Sequence, residues 1–209
     1  MGYLISILLS ILLWPVDILE PWSVDPPPPG VETAPLDPRQ DNFDTPKPLG
    51  PVGKVELYGL ATYEIEARIL SRRRYRLDLT PGWWGTGASP IDLTVGWGPM
   101  SDTAMTQHVS FKNFSRMAWA TSKIDIFNRD IRSTYANMHM IPITRDVRRQ
   151  LLALRPNQTV KMTGYLVELR QDGETRMRSS MSRHDGDNLR DCEIMYVTAL
   201  EVLPPPSAG

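Results

Sequence analysis

Cysteine is almost missing: Cys192 is alone among 209 residues. That excludes an internal disulfide and any zinc site built from several cysteines. An excess of charge is missing too. The net charge is −1, so no basic field exists to hold nucleic acid, which is not an expected partner. No apolar run reaches the roughly 20 residues of a full membrane span. No Lys or Arg precedes Arg39, so flanking charge cannot orient an N-terminal segment in a bilayer. Phosphate loops, dinucleotide fingerprints, serine elbows and HExxH helices are absent. No cofactor and no metal centre are therefore expected.

What is present begins with Tyr3–Val16, an uncharged apolar run closed by Asp17. Its length suits a signal-peptide core, yet no small-x-small cleavage site follows. Residues 1–19 are read as a membrane anchor or signal-like segment. A helix docked on the protein's own barrel is the third alternative. Gly2, Ser6 and Ser10 share one helical face, a spacing that lets membrane helices approach closely, although serine is also simply tolerated in short apolar segments. Residues 20–53 read as a linker. Pro26–Pro29 are followed by Pro35, Pro38, Pro46, Pro48 and Pro51, which favours extended polyproline II with nothing to pack. A semi-rigid stalk is the expectation, and a proline-motif ligand the alternative.

The globular part is expected over 54–203, with a tail at 204–209. Val55, Leu57, Ala61, Tyr63, Ile65, Ala67 and Ile69 alternate with polar residues, the period of a half-buried strand. Gly59 marks a bend. Arg72, Arg74 and Arg76 share a face beside Tyr75. They form either a phosphate stripe or a charged strand edge that discourages pairing, and the lack of basic excess favours the edge. Thr80–Asp102 reads as loop, with Trp83, Trp84 and Trp97 as a ligand platform or as barrel plugs. His108–Thr121 and Tyr135–Ile143 read as strands, and Lys123–Ser133 as a loop.

Thr144–Leu154 reads as a helix: Thr144 can cap it, Val147, Leu151 and Leu154 share a face, and Pro156 stops it. Two long strands follow, Thr159–Arg170 and Cys192–Val202. In the first the apolar phase reverses at Thr163-Gly164, the mark of a bulge or bend. In the second, Cys192, Ile194, Tyr196, Leu200 and Val202 share one face. Strands, one short helix, then two strands is the order of the OB-fold. The predicted fold class is mostly β, a small OB-like barrel with one short helix. An open α+β sheet is the rival.

Three stretches carry a family resemblance: PIDLTVGWGPMSD (Pro90–Asp102), ANMHMIP (Ala136–Pro142) and SSMSRHDGDNLRDCEIMYV (Ser179–Val197). Together they resemble an uncharacterised bacterial domain family patterned DLALGWGxMSD, ANMHLIPA and SSLSRxDxGxGACE. The resemblance covers Lys54–Val202 and implies no assigned activity. Here Asn188-Leu189-Arg190-Asp191 replaces the family's glycine-rich turn before Cys-Glu.

The polar residues of these stretches supply the candidate site: Trp97, Asp102, Asn137, His139, Arg183 and Asp185 for ligand binding, with Asp102 and His139 as a polar pair beside an aromatic wall. A dyad of Cys192 and His139 would be a nucleophile. Against it, Cys192 lies on an apolar strand face, where a structural thiol is expected. Asp185, Asp187 and Asp191 match no complete calcium loop. Met138 and Met140 point away from His139, which weakens a soft-metal site. The functional expectation is a membrane-tethered, extracytoplasmic (periplasmic) module for binding or assembly. Its expected partners are the membrane, through residues 1–19, and a protein or a second copy. A hydrolase or transferase with His, Asp and Cys is the alternative, and a copper carrier the second.

Overall fold

The computed structural model describes residues 23–75, 87–114, 116–182 and 192–205. The apolar segment 1–19 lies outside them. None of the described helices is long and apolar enough to cross a membrane.

Nine strands and three helices are described. Strands β1 (Arg39–Val52), β2 (Val55–Arg74) and β3 (Ile91–Gly96) come first, then helix α1 (Thr103–Thr106) and the hairpin β4 (Val109–Phe114) and β5 (Met117–Ser122). Helix α2 (Arg129–Arg132), β6 (Tyr135–Pro142) and helix α3 (Arg145–Ala153) follow, then β7 (Thr159–Gln171), β8 (Glu174–Arg178) and β9 (Glu193–Val202). Five strands close a ring: β2 pairs with β3, β3 with β6, β6 with β9, β9 with β7, and β7 returns to β2. Every pairing is antiparallel except β6 with β9. The ring, its single parallel pair and α3 between β6 and β7 make an OB-like barrel, as expected. The main sheet of the described residues is thus closed, and the β4–β5 hairpin forms a separate two-stranded sheet.

Alternation builds the interior. Ile65, Ala67 and Ile69 of β2, Leu93 and Val95 of β3, Met138 and Met140 of β6, and Met162 of β7 join one core. Thr144 caps α3, its hydroxyl accepting from the Val147 N–H at 3.2 Å, and Val147, Leu151 and Leu154 seat the helix on this core. Gly164 works as expected. The register shifts at Thr163/Gly164 opposite β9, and a Cβ there would stand 2.0 Å from the Tyr196 carbonyl oxygen.

Several expectations need correction. The shift opposite Gly164 leaves Thr198 without a partner in the register, so β9 changes phase. Ile194 and Tyr196 pack in a second cluster with Val55, Leu57 and Val167, whereas Leu200 packs on the barrel core. They do not share one face. The loop-rich stretch before Asp102 holds β3, and the stretch 123–133 holds α2. The connection after β7 holds β8, an added strand paired with β7 alone. Finally, the described part of 20–53 is no free stalk. Residues 39–52 form β1, which pairs only with β2. An edge strand has one side without ladder bonds, so Pro46, Pro48 and Pro51 are tolerated there. Residues 23–38 strap the barrel end. Val24 N–H donates to Pro156 O, Gly30 N–H to Asp102 Oδ1 and Ala34 N–H to Ser101 Oγ.

Candidate functional site

Period two sends Asp92 and Thr94 of β3, and Asn137 and His139 of β6, to the outer wall of the barrel while their neighbours fill the core. The register sets Asp92 opposite His139 and Thr94 opposite Asn137. The β4–β5 hairpin lies over this wall. At its turn Arg116 takes a positive φ of 69°, an unfavoured conformation for a side-chain-bearing residue that its surroundings must hold in place. Those surroundings are visible. Its backbone N–H donates to the Tyr75 hydroxyl at 3.1 Å, and its guanidinium stands 3.5 Å from the Tyr75 ring centre. The same guanidinium donates to Asp92 Oδ1 at 2.8 Å and to Ser89 O at 2.9 Å.

Asp92 is the centre of this cluster. Besides Arg116 it accepts from His139 Nδ1 at 2.8 Å and, through Oδ2, from the Tyr75 hydroxyl at 2.9 Å. Asp92 is 0%, His139 1% and Arg116 4% exposed, so a single carboxylate faces two buried cationic groups. Burial alone would disfavour the charged imidazole. The charge and hydrogen bond of Asp92, helped by a contact with Cys192, outweigh burial and push His139 up to about 9. Burial and Asp92 together drive the Tyr75 phenol upward. Asn137 closes the cluster, its amide donating to Arg116 O at 3.2 Å and to Cys192 Sγ at 3.4 Å.

The order Asp92, His139, Cys192 is that of a cysteine nucleophile with an oriented base. Three features oppose that use. His139 has almost no solvent face. A ring held protonated up to about 9 accepts protons poorly near neutrality. Both carboxylate oxygens of Asp92 are already engaged within the protein, by Arg116, His139 and Tyr75.

The candidate residues are not all brought together. Asn137 and His139 meet, with Cys192, which is partly exposed. Asp102 is not the partner of His139; it caps α1 through Ala104 N–H at 2.8 Å and holds the strap at Gly30. Trp97 is no open platform: it is 4% exposed within the barrel core, and its ring N–H donates to Asp37 Oδ1 at 3.1 Å. The glycine beside it admits backbone, since a Cβ on Gly96 would stand 2.5 Å from Met100 O. Arg183 and Asp185 lie outside the described residues, as do Trp83, Trp84, Arg76, Asp187 and Asp191. Met138 and Met140 are fully buried in the core, opposite His139. The end of β2 that carries Arg72–Arg74 is no bare edge: it pairs with β3, and Arg72 donates to the Leu152 and Leu154 carbonyls at the end of α3. Among the described residues no three His, Cys, Asp or Glu side chains gather as a metal site.

Asp92, Tyr75 and Arg116 were missed as site residues. Asp92 alone left a sequence signal: an acid in the run PIDLTVG, whose alternation is that of a strand. Arg68 was missed as well. It occupies the polar phase of β2, and a half-open groove of about 390 Å³ lies over it. Pro26 of the strap, Thr103 and Thr106 of α1, Phe111 of β4 and Asn157 contribute the walls.

Set against protein-family models, curated proteins and solved structures, the chain finds no match in any of the three.

Proposed function

We propose that this chain is a membrane-tethered, extracytoplasmic barrel module that binds a ligand and performs no catalysis. One observation carries the reading. The acid, base and guanidinium of the outer-wall cluster are spent on one another under the hairpin, while the neighbouring wall offers a groove lined by hydroxyls, amides and Arg68. Binding sites of this kind are apolar clefts with a few convergent polar groups, and pockets of about 300 Å³ upward accept small molecules. Tethering is supported by the uncharged run Tyr3–Val16. The test uses full-length protein with Ser110→Trp, which fills the groove from an exposed lining position. Ligands from a small-molecule panel should raise the melting temperature of the parent and not of the variant. Salt should leave the protein in the membrane fraction and detergent should extract it. Turnover of an ester or amide that disappears in Cys192→Ala would sink the reading.

That outcome belongs to a second reading, cysteine chemistry, favoured by the contact between His139 and Cys192. It requires rapid labelling of native Cys192 by a thiol reagent. The binding reading expects slow labelling that becomes fast in denaturant.

A further inference from the structure

A buried cation is normally matched by a carboxylate, because an unpaired charge is costly to desolvate. Arg116 follows the rule through Asp92. Arg68 does not. It is 2% exposed, and its hydrogen-bond acceptors are Ser101 O, Thr103 Oγ1, Thr106 Oγ1 and Asn157 Oδ1, all neutral. Its buried Nε–H finds no acceptor among the described residues. Asp102 acts on it only through space and does not offset burial, which lowers the pKa of the guanidinium.

This guanidinium lines the groove, and among the described residues no Asp or Glu lines it with Arg68. The Thr103 and Thr106 hydroxyls there already donate to the Pro27 and Asp102 carbonyls, and the Asn157 amide to Val24 O, so Arg68 is left as the positive group of the groove. The remaining wall is apolar, with Leu70 and Phe111 beside the prolines. The missing partner is therefore negative at one end and greasy at the other.

We propose that the groove receives the anionic head of a small amphiphile, a carboxylate or phosphate monoester, whose oxygens neutralise Arg68 while its apolar body lies along Leu70 and Phe111. The inference rests on the binding-module reading and names its ligand class. A planar guanidinium is the side chain best matched to such heads.

The test titrates full-length protein with octanoate, octyl phosphate, inorganic phosphate, octanol and soluble dihexanoyl phosphatidylglycerol, following heat and melting temperature. Octanoate or octyl phosphate should bind one to one. Affinity should fall at least about tenfold in Arg68→Gln, the scale of one charge-assisted hydrogen bond, and should vanish in Ser110→Trp, which leaves Arg68 in place should the first variant fold poorly. Tighter binding of the phosphatidylglycerol than of octyl phosphate, still dependent on Arg68, assigns the head to a lipid; the reverse order assigns it to a free metabolite. Octanol binding as tightly as octanoate, blocked by Ser110→Trp, overturns the anionic ligand and leaves the binding module standing. No binding of any probe to the groove overturns both.

Discussion

Two buried cations lie outside the barrel core and are handled in opposite ways. Arg116 is brought in by a hairpin turn, stacked on Tyr75 and paired with a carboxylate that also holds His139. Arg68 is held by a carbonyl, two hydroxyls and an amide. The first arrangement supplies a buried counter-charge. The second supplies only neutral acceptors and faces a groove. The difference teaches that burial alone does not mark a functional charge. What marks it is burial without a counter-charge beside accessible space. By that criterion the Asp92 cluster is scaffold that holds the hairpin down, and Arg68 is the site.

The largest expected effect is at the centre of the Asp92 cluster. Asp92→Asn removes the buried carboxylate that Arg116 and His139 share and should cost about 3–5 kcal/mol in urea unfolding. A loss under about 1 kcal/mol would show that the cluster is not scaffold. Next comes pH. His139 shifts from 6.5 when unfolded to about 9 when folded, so folding favours its protonated form. Its contribution should be full below about 6.5 and should decline as pH rises towards about 9, a loss on the order of 3 kcal/mol. Urea midpoints in a Cys192→Ser background, with and without His139→Gln, isolate the effect; equal slopes in both would refute it. Tyr75→Phe removes a hydroxyl that donates to Asp92 and accepts from Arg116, and should cost about 1–3 kcal/mol. The smallest effect is expected at Arg68. Arg68→Gln keeps an amide donor for its neutral acceptors and removes the unmatched charge, so it should cost about 1 kcal/mol or less. If it unfolds the protein as severely as Asp92→Asn, the contrast between the two cations collapses and Arg68 is scaffold as well.

The barrel was legible because periodicity and one well-bounded helix were enough to order its strands. Val55 to Ile69 alternated, Thr144 and Pro156 bracketed α3, and Gly164 marked the bend. The β9 phase was misread because its cause, the close approach of Tyr196 O to Gly164, lies on another strand. The strap was misread because proline content reports what a chain cannot do as a central strand and is silent on whether an edge will take it. The site was half legible. His139, Asn137 and Cys192 lie together, although the alternation of β9 had argued for Cys192 on an apolar face. Asp102 was paired with His139 from composition, whereas cross-strand register gave that place to Asp92. Arg68 could not be found from its own neighbourhood, since its four acceptors lie 33 to 89 residues away along the chain.

The docked strap also sets a leash length. A free coil of the 20–53 stretch would let the barrel roam about 30 Å from its attachment. Val24 is instead fastened at Pro156, 3.1 Å from N to O. With residues 1–19 in a bilayer, as proposed, the chain from 19 to 24 spans at most about 17 Å fully extended. Pro26 and Pro156, next to that fastening, are also walls of the groove. Under that proposal the groove would stay within a thin layer over the membrane and would sample solutes enriched at the interface before those of the bulk.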